Sequence, residues 1–315
     1  MVVTDLHGDR TRYRRYRDTF LDLKAKGRAD VLIFTGDFIH REGPQETDHS
    51  LEIILDLLDL SGELEDDLIV LLGNHEMPHL YHVTLAKGEH VYTPRFEAAM
   101  GDERERVLSF LDALPLFVRT TAGVTLCHAG AFSAAADDAA MAALRTFDHR
   151  ALLSEVSAEL KPDERPALRR ALGRLLHEPY DALARRALAV SGPDDPRYDD
   201  YLIGVLVSNR PTFKLLWSAL FSTNEREIGM RAYTRQVAAL LQALSTDYAP
   251  QMALVTGHLG CRNGYRVLAQ GRQLRLASGA HAYPPEAGKA LLFDAGKPIG
   301  SAEPLLAGLR RVDPT

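Results

Sequence analysis

The sequence predicts an α/β fold with mixed sheets, on three observations. Five short apolar runs each end in Asp, Asn or His. Near the start of the chain, such runs alternate with amphipathic helical stretches. After residue 250 the strands follow one another with no helix between them.

The opening "MVVTDLHGD" is a short apolar strand that stops on Asp5, His7, Gly8 and Asp9. A helix follows, with Tyr13, Tyr16, Phe20 and Leu23 on one face. Its arginines (Arg10, Arg12, Arg14, Arg15 and Arg17) fall largely on the other face and read as a solvated surface. In "VLIFTGDFIHRE", residues 31–35 lack polar alternation, so the strand is expected to be covered on both faces. Gly36 turns the chain and delivers Asp37 to the carboxyl end of the strand, where α/β folds place ligands. A helix is predicted over 50–60, "SLEIILDLLDL". "LIVLLGNHE" (68–76), "VTLCHAG" (124–130) and "MALVTGHLG" (252–260) repeat the pattern of apolar strand, then polar cluster. "YRVLAQGRQLRLASG" reads as two strands around Gly271 and "ALLFD" as a third, together a meander.

Parallel βαβ pairing at the start and a meander at the end make the sheets mixed. Residues 134–212 are read as a helical insertion within one domain spanning 1–315. The insertion is rich in Ala, Leu and Arg and punctuated by prolines; "SGPDDPRYDD" (191–200) is its clearest loop. Two readings are open for it: a wall or lid over the ligand-bearing strand ends, or a peripheral helical decoration that stiffens the fold or makes a dimer contact.

Hydrophobic content of 46% and charged content of 25% are those of a globular protein. The net charge of −6 argues against a nucleic-acid or anionic-membrane partner. No apolar run reaches the length of a membrane span. Cys127 and Cys261 are too few for a disulfide scaffold, so a cytoplasmic setting is expected.

The strand ends carry Asp5, His7, Asp37, Asn74, His75, His128 and His258. Mixed oxygen and imidazole donors suit Mn, Fe or Zn, and the lack of clustered thiolates argues against structural zinc or iron–sulfur. Two such ions could clamp the attacking and leaving oxygens of a phosphoryl transfer. A carboxylate shared between them must be central, and Asp37 is the natural choice.

The ordered set D-x-H-G, G-D-x-x-x-R, G-N-H-E, H-A-G and G-H resembles the calcineurin-like metallophosphoesterases, most closely their phosphoprotein phosphatase (serine/threonine phosphatase-like) branch. "FLDALPL" before "CHAG", "LLWS" and "GHLGCRNGYRVLA" followed by "LASG" extend the likeness over about 1–133 and 213–298. The resemblance implies two packed mixed β-sheets flanked by helices, the metallo-dependent phosphatase fold. It implies two transition-metal ions: Asp5 and His7 on the first, Asp37 bridging, and Asn74, His128 and His258 on the second. His75 would be the general acid, and Arg41 would grip phosphate, with Arg231 as the second such arginine and Arg226 as its alternative.

The implied reaction is hydrolysis of phosphomonoesters, including phosphoserine or phosphothreonine in proteins, by in-line attack of a metal-bridging hydroxide. A dinucleoside-polyphosphate hydrolase or phosphodiesterase shares the same core. Two departures stand out. Phosphodiesterase-like relatives carry G-H-x-H; here the last position is Gly260, so water is expected to complete the first metal. His40 stands where the family has an aspartate that orients the catalytic histidine, which leaves room for a catalytically weakened scaffold that binds phosphorylated partners. His49, His79 and His281 are read as structural or surface residues, His281 in "SGAHAY" being the least bland. Trp217 is assigned to the core and Cys127 to packing.

Overall fold

In a computed structural model, the structure describes residues 1–88, 90–221 and 223–312. In chain order the elements open with β1 (Val2–Val3), α1 (Arg10–Ala25), β2 (Leu32–Phe34), α2 (Ser50–Leu64) and β3 (Leu68–Val70). Then come α3 (Met77–Leu80), β4 (Ala86–Lys87), β5 (His90–Val91), α4 (Thr93–Met100), α5 (Arg104–Asp112), β6 (Phe117–Arg119) and β7 (Val124–Cys127). The helical stretch holds α6 (Asp138–Arg145), α7 (His149–Glu159), α8 (Arg165–Leu175), α9 (Tyr180–Leu188), α10 (Asp200–Ser208), α11 (Pro211–Phe221), α12 (Glu225–Ile228) and α13 (Met230–Ser245). The chain closes with β8 (Ala253–Thr256), β9 (Cys261–Arg262), β10 (Tyr265–Leu268), β11 (Gln273–Leu276), β12 (Ala282–Tyr283), β13 (Lys289–Leu291) and β14 (Leu309–Arg311).

The residues pack as two compact units. The first holds 1–74, 114–146 and 215–315, the second 75–113 and 147–214.

Two mixed five-stranded sheets form the first unit, in the orders β14-β13-β1-β2-β3 and β10-β11-β8-β7-β6. β1, β2 and β3 run parallel, with Val2 opposite Ile33 and Leu32 opposite Leu68. β8 runs parallel to both β7 and β11. Alternate residues of each strand face the other sheet. Val2, Ile33, Val124, Leu126, Ala253, Val255, Leu274 and Leu276 thus make one buried cluster. Their burial on both sheets holds the strand ends in place, each large aliphatic side chain contributing roughly 1.5–3 kcal/mol. The third strand of the expected meander is a correction. β13 does not continue from β11; it pairs antiparallel with β1 in the other sheet. Its apolar residues suit either sheet, and the long connection after β11 lets it cross.

α1 begins at Asp9, whose side chain accepts a 3.1 Å hydrogen bond from the Arg12 N–H. Tyr13, Tyr16 and Phe20 are buried, while Leu23 is half-buried. The arginine face is tied to α2: Arg17 pairs with Asp56 at 2.7 Å, and Arg10 pairs with Glu52. α2 runs four residues beyond its predicted end, with Ile53, Ile54, Leu57 and Leu60 buried.

Helices dominate the second unit. Buried Glu97 on α4 accepts from His79 Nδ1 at 2.7 Å and is met by Arg104 and Arg197 at 3.2 Å each. That network binds α3, α4, α5 and the approach to α10, so His79 is a structural partner there. Gly204 on α10 lets the helix approach His82: a Cβ there would sit 2.2 Å from the His82 carbonyl oxygen. Among the described residues, no helix is long and apolar enough to cross a membrane.

Candidate metal centre

The polar loops after β1 and β2 are laced together by their backbones. Leu6 and His7 N–H both donate to the Asp37 carbonyl at 2.9 Å, and Asp5 N–H donates to the Gly36 carbonyl at 3.4 Å. Gly36 has φ +95°, and a Cβ there would lie 2.6 Å from the Gly73 Cα. Only glycine lets the loop before Asp37 and the loop before Asn74 come this close. Asp5, His7, Asp37, His40 and His258 all adopt positive φ, between 45° and 71°. Such strain in non-glycine residues is held only where surrounding packing over-determines it, and it gathers at working sites.

Asp37 is central to the geometry. Its Oδ2 lies 3.6 Å from His7 Nε2, and its Oδ1 lies 3.5 Å from His128 Nε2. Each of these imidazoles is anchored through its other nitrogen. His7 Nδ1 reaches the Ile39 carbonyl at 3.3 Å, and His128 Nδ1 reaches the Thr35 carbonyl at 2.9 Å. A carbonyl only accepts, so Nδ1 carries the hydrogen and Nε2 presents its lone pair inward. His128 Nε2 is also 2.7 Å from Asn74 Oδ1 and 3.2 Å from His258 Nδ1. Lone pairs of N and O therefore converge, an arrangement that a cation between them stabilises.

Two donor groups result within the first unit: Asp5 with His7 and His281, and Asp37 with His128 and His258. The donor atoms in each lie within 4.8 Å of one another. Asp5 Oδ1 accepts from the His258 N–H at 2.8 Å, while buried Oδ2 accepts no hydrogen bond among the described residues. The residues present therefore fit metal ions by donor chemistry and by an orphaned carboxylate oxygen. Burial, reinforced by His281, pushes His7 down to about 3 against the pull of Asp5. Burial also holds His128 below its usual range, and burial with His128 nearby holds His258 well below it. Burial opposes ionisation of Asp5, but interaction with His281, then His128 and His7, outweighs it and keeps the carboxyl below the ordinary range.

The other expected residues fall as follows. Arg41 Nη1 pairs with Asp9 Oδ2 at 3.0 Å, so Asp9 both caps α1 and pairs with Arg41. His40 is buried, and its N–H donates to Ser50 Oγ at 2.9 Å. His75 follows Asn74 directly and packs within the second unit, where its ring meets Tyr92 edge-on at 5.0 Å. Arg226 and Arg231 are exposed, on α12 and in the first turn of α13. The start of α12 is pinned by Glu225, which takes a bidentate grip from buried Arg275 at 3.0 and 2.8 Å.

Two sequence readings are corrected. Trp217 is half-buried, stacked on Phe221 with ring centroids 4.0 Å apart, and Phe221 in turn meets His258 edge-on at 6.2 Å. Helical spacing does not say which face of α11 a neighbour covers. His281 belongs with the site: its Nδ1 is 3.3 Å from Asp5 Oδ1, and its ring meets His7 edge-on at 4.9 Å. In the sequence its signal was its place in "SGAHAY", where the family that the chain resembles often has polar or aromatic active-site residues.

A calcineurin-like phosphoesterase family model matches residues 1–198. The chain belongs to that family. It is therefore a metal-dependent phosphoesterase and a hydrolase. Among curated proteins, none matches. Solved structures that resemble it include a serine/threonine phosphatase from Saccharomyces cerevisiae with similarity to human phosphatase PP5. That likeness has 11% identity and a TM-score of 0.47, covering 94% of this chain and 75% of the other. A point mutant of a cold-active protein tyrosine phosphatase is similar at 13% identity and a TM-score of 0.51, covering 92% of this chain and 73% of that one. The metallophosphoesterase shares with the latter its fold: two mixed sheets flanked by helices.

Proposed function

We propose that this metallophosphoesterase holds two metal ions and hydrolyses phosphomonoesters, with phosphorylated protein side chains as the leading substrate class. The observation that carries the reading is the divided carboxylate of Asp37, one oxygen toward His7 and the other toward His128. Asp5 and His7 would hold the first ion; Asn74, His128 and His258 would hold the second. Oxygen and imidazole donors suit manganese or iron, with zinc also accommodated. Bound there, the ions supply Lewis acidity and lower the pKa of water.

The chain's own groups do the rest. The Ile39 and Thr35 carbonyls keep the His7 and His128 lone pairs pointed inward. Arg41, steered by Asp9, offers a guanidinium fork to two phosphate oxygens. Arg231 is assigned the same task from α13, and His75 donates the proton to the leaving oxygen.

The testing experiment begins with a chromogenic aryl phosphate, with and without Mn. It continues with peptides bearing phosphoserine, phosphothreonine or phosphotyrosine, a dinucleoside tetraphosphate and a cyclic nucleotide. Metal-dependent turnover led by the phosphopeptides is the expected result. A preference for dinucleoside tetraphosphate or cyclic nucleotide would reassign the substrate class. Binding of phosphopeptide without turnover of any substrate would leave a scaffold.

A further inference from the structure

We propose that His281 is a further protein ligand at the position held by Asp5 and His7, entering from the segment before β12. The inference rests on the two-ion reading above and adds a residue to it.

The backbone places this imidazole deliberately. Ala280 N–H donates to the Asp5 carbonyl at 3.1 Å, and Cys261 N–H donates to the His281 carbonyl at 2.8 Å. A Cβ on Gly279 would lie 2.1 Å from the Asp5 carbonyl oxygen, so a glycine is needed for the segment to lie against the β1 loop. Parallel pairing of β9 with β12, Cys261 opposite Ala282, then sets the register.

The side chain answers the same demand. His281 Nδ1 is 3.3 Å from Asp5 Oδ1, yet among the described residues it finds no well-aligned hydrogen-bond partner. Two ligands bonded to one ion at ~2.0–2.2 Å stand roughly 3–3.5 Å apart. The separation is thus also that of two donors facing one shared centre. Asp5 Oδ2 lies buried beside them without a hydrogen bond.

Gly260 brings no donor of its own to the neighbouring strand end. It offers no side chain, and a Cβ there would come within 2.6 Å of Tyr283 Cε2, so any larger residue would have to displace that ring. The imidazole that position 260 does not supply comes instead from His281, whose backbone is hydrogen-bonded to the very next residue, Cys261. The first position would then have three protein donors besides the bridging Asp37 oxygen, where the sequence alone suggests water.

The test is a two-site titration of the intact protein with Mn(II) and with Co(II), in competition with a chromogenic chelator. It compares wild type, His281→Phe and His281→Asp. Phenylalanine keeps the ring edge against His7 and removes the donor; aspartate returns an oxygen donor. The Phe variant should keep one site at wild-type affinity and weaken the other by at least about 10–100-fold, the cost typical of losing even an outer-shell partner. The visible absorption of one Co(II) should change with it, and the Asp variant should recover part of the affinity. Two unchanged affinities and an unchanged Co(II) spectrum in a folded Phe variant would overturn the inference and leave the two-ion reading standing. A wild type that binds no ion would overturn both.

Discussion

His128 is held by the Thr35 carbonyl, 2.9 Å from its Nδ1, while its Nε2 turns to Asn74 Oδ1 at 2.7 Å and Asp37 Oδ1 at 3.5 Å. The strand end of β2 thereby sets the tautomer of an imidazole delivered by β7, in the other sheet. Asp37 reaches to both sides, with Oδ2 toward His7 and Oδ1 toward His128. Elemental analysis of purified protein should therefore give two transition-metal ions in wild type, about one in His128→Ala and fewer than one in Asp37→Asn. Full occupancy in the Asp37 variant would remove the bridging assignment.

Arg41 and Asp9 form a pair whose partners have different jobs. Arg41→Ala should lower kcat/KM by about 10²–10³-fold, as for loss of one charge-stabilising donor. Asp9→Asn keeps Arg41 but releases its aim, so the loss should be smaller and fall mainly on KM. Steady-state kinetics on an aryl phosphate separates the two. Equal losses in both variants would mean that Asp9 acts on more than Arg41.

Glu225 neutralises Arg275, a fully buried guanidinium on β11, and also meets Arg266 at 3.0 Å. Glu225→Gln would leave the Arg275 charge buried without a counterion. The expected loss is about 3–5 kcal/mol, the cost of breaking a buried pair on one side. Urea unfolding monitored by circular dichroism reads this directly. A loss below about 1 kcal/mol would show that the site relaxes to admit water.

Acid should weaken the second unit through His149. Its Nδ1 is hydrogen-bonded with the Tyr81 hydroxyl at 2.5 Å, and burial pushes its pKa down to about 4, against partial support from Asp112 and Asp148. In the unfolded chain an imidazole titrates near ~6.5. Between those values the unfolded chain binds the extra proton, so stability falls as pH drops from about 6.5 to about 4, by roughly 3 kcal/mol at most. His149→Phe should flatten that slope in thermal melts collected across the window. A slope identical to wild type would contradict the assignment.

Much of the centre was legible in the sequence because chemistry and secondary structure are contiguous there. Asp5, Asp37, Asn74, His128 and His258 each follow an apolar strand within a few residues, so finding the strands finds the residues. The α1 face of Tyr13, Tyr16 and Phe20 was equally plain, since one helical period links the positions to their burial.

What only the tertiary structure decided is non-local. β13 joins β1 rather than β11 because strand partners are chosen by packing across a long connection, and a short apolar run does not encode its neighbour. Trp217 lies half-buried because coverage of a helix face depends on what folds against it. His281 comes to Asp5 through the pairing of β9 with β12 and a glycine pressed against the Asp5 carbonyl. The β13–β1 pairing and the approach of His281 to Asp5 are not spacings along the chain; each is a contact between segments far apart in it, fixed when the hydrogen bonds and side chains of the folded sheets are satisfied together.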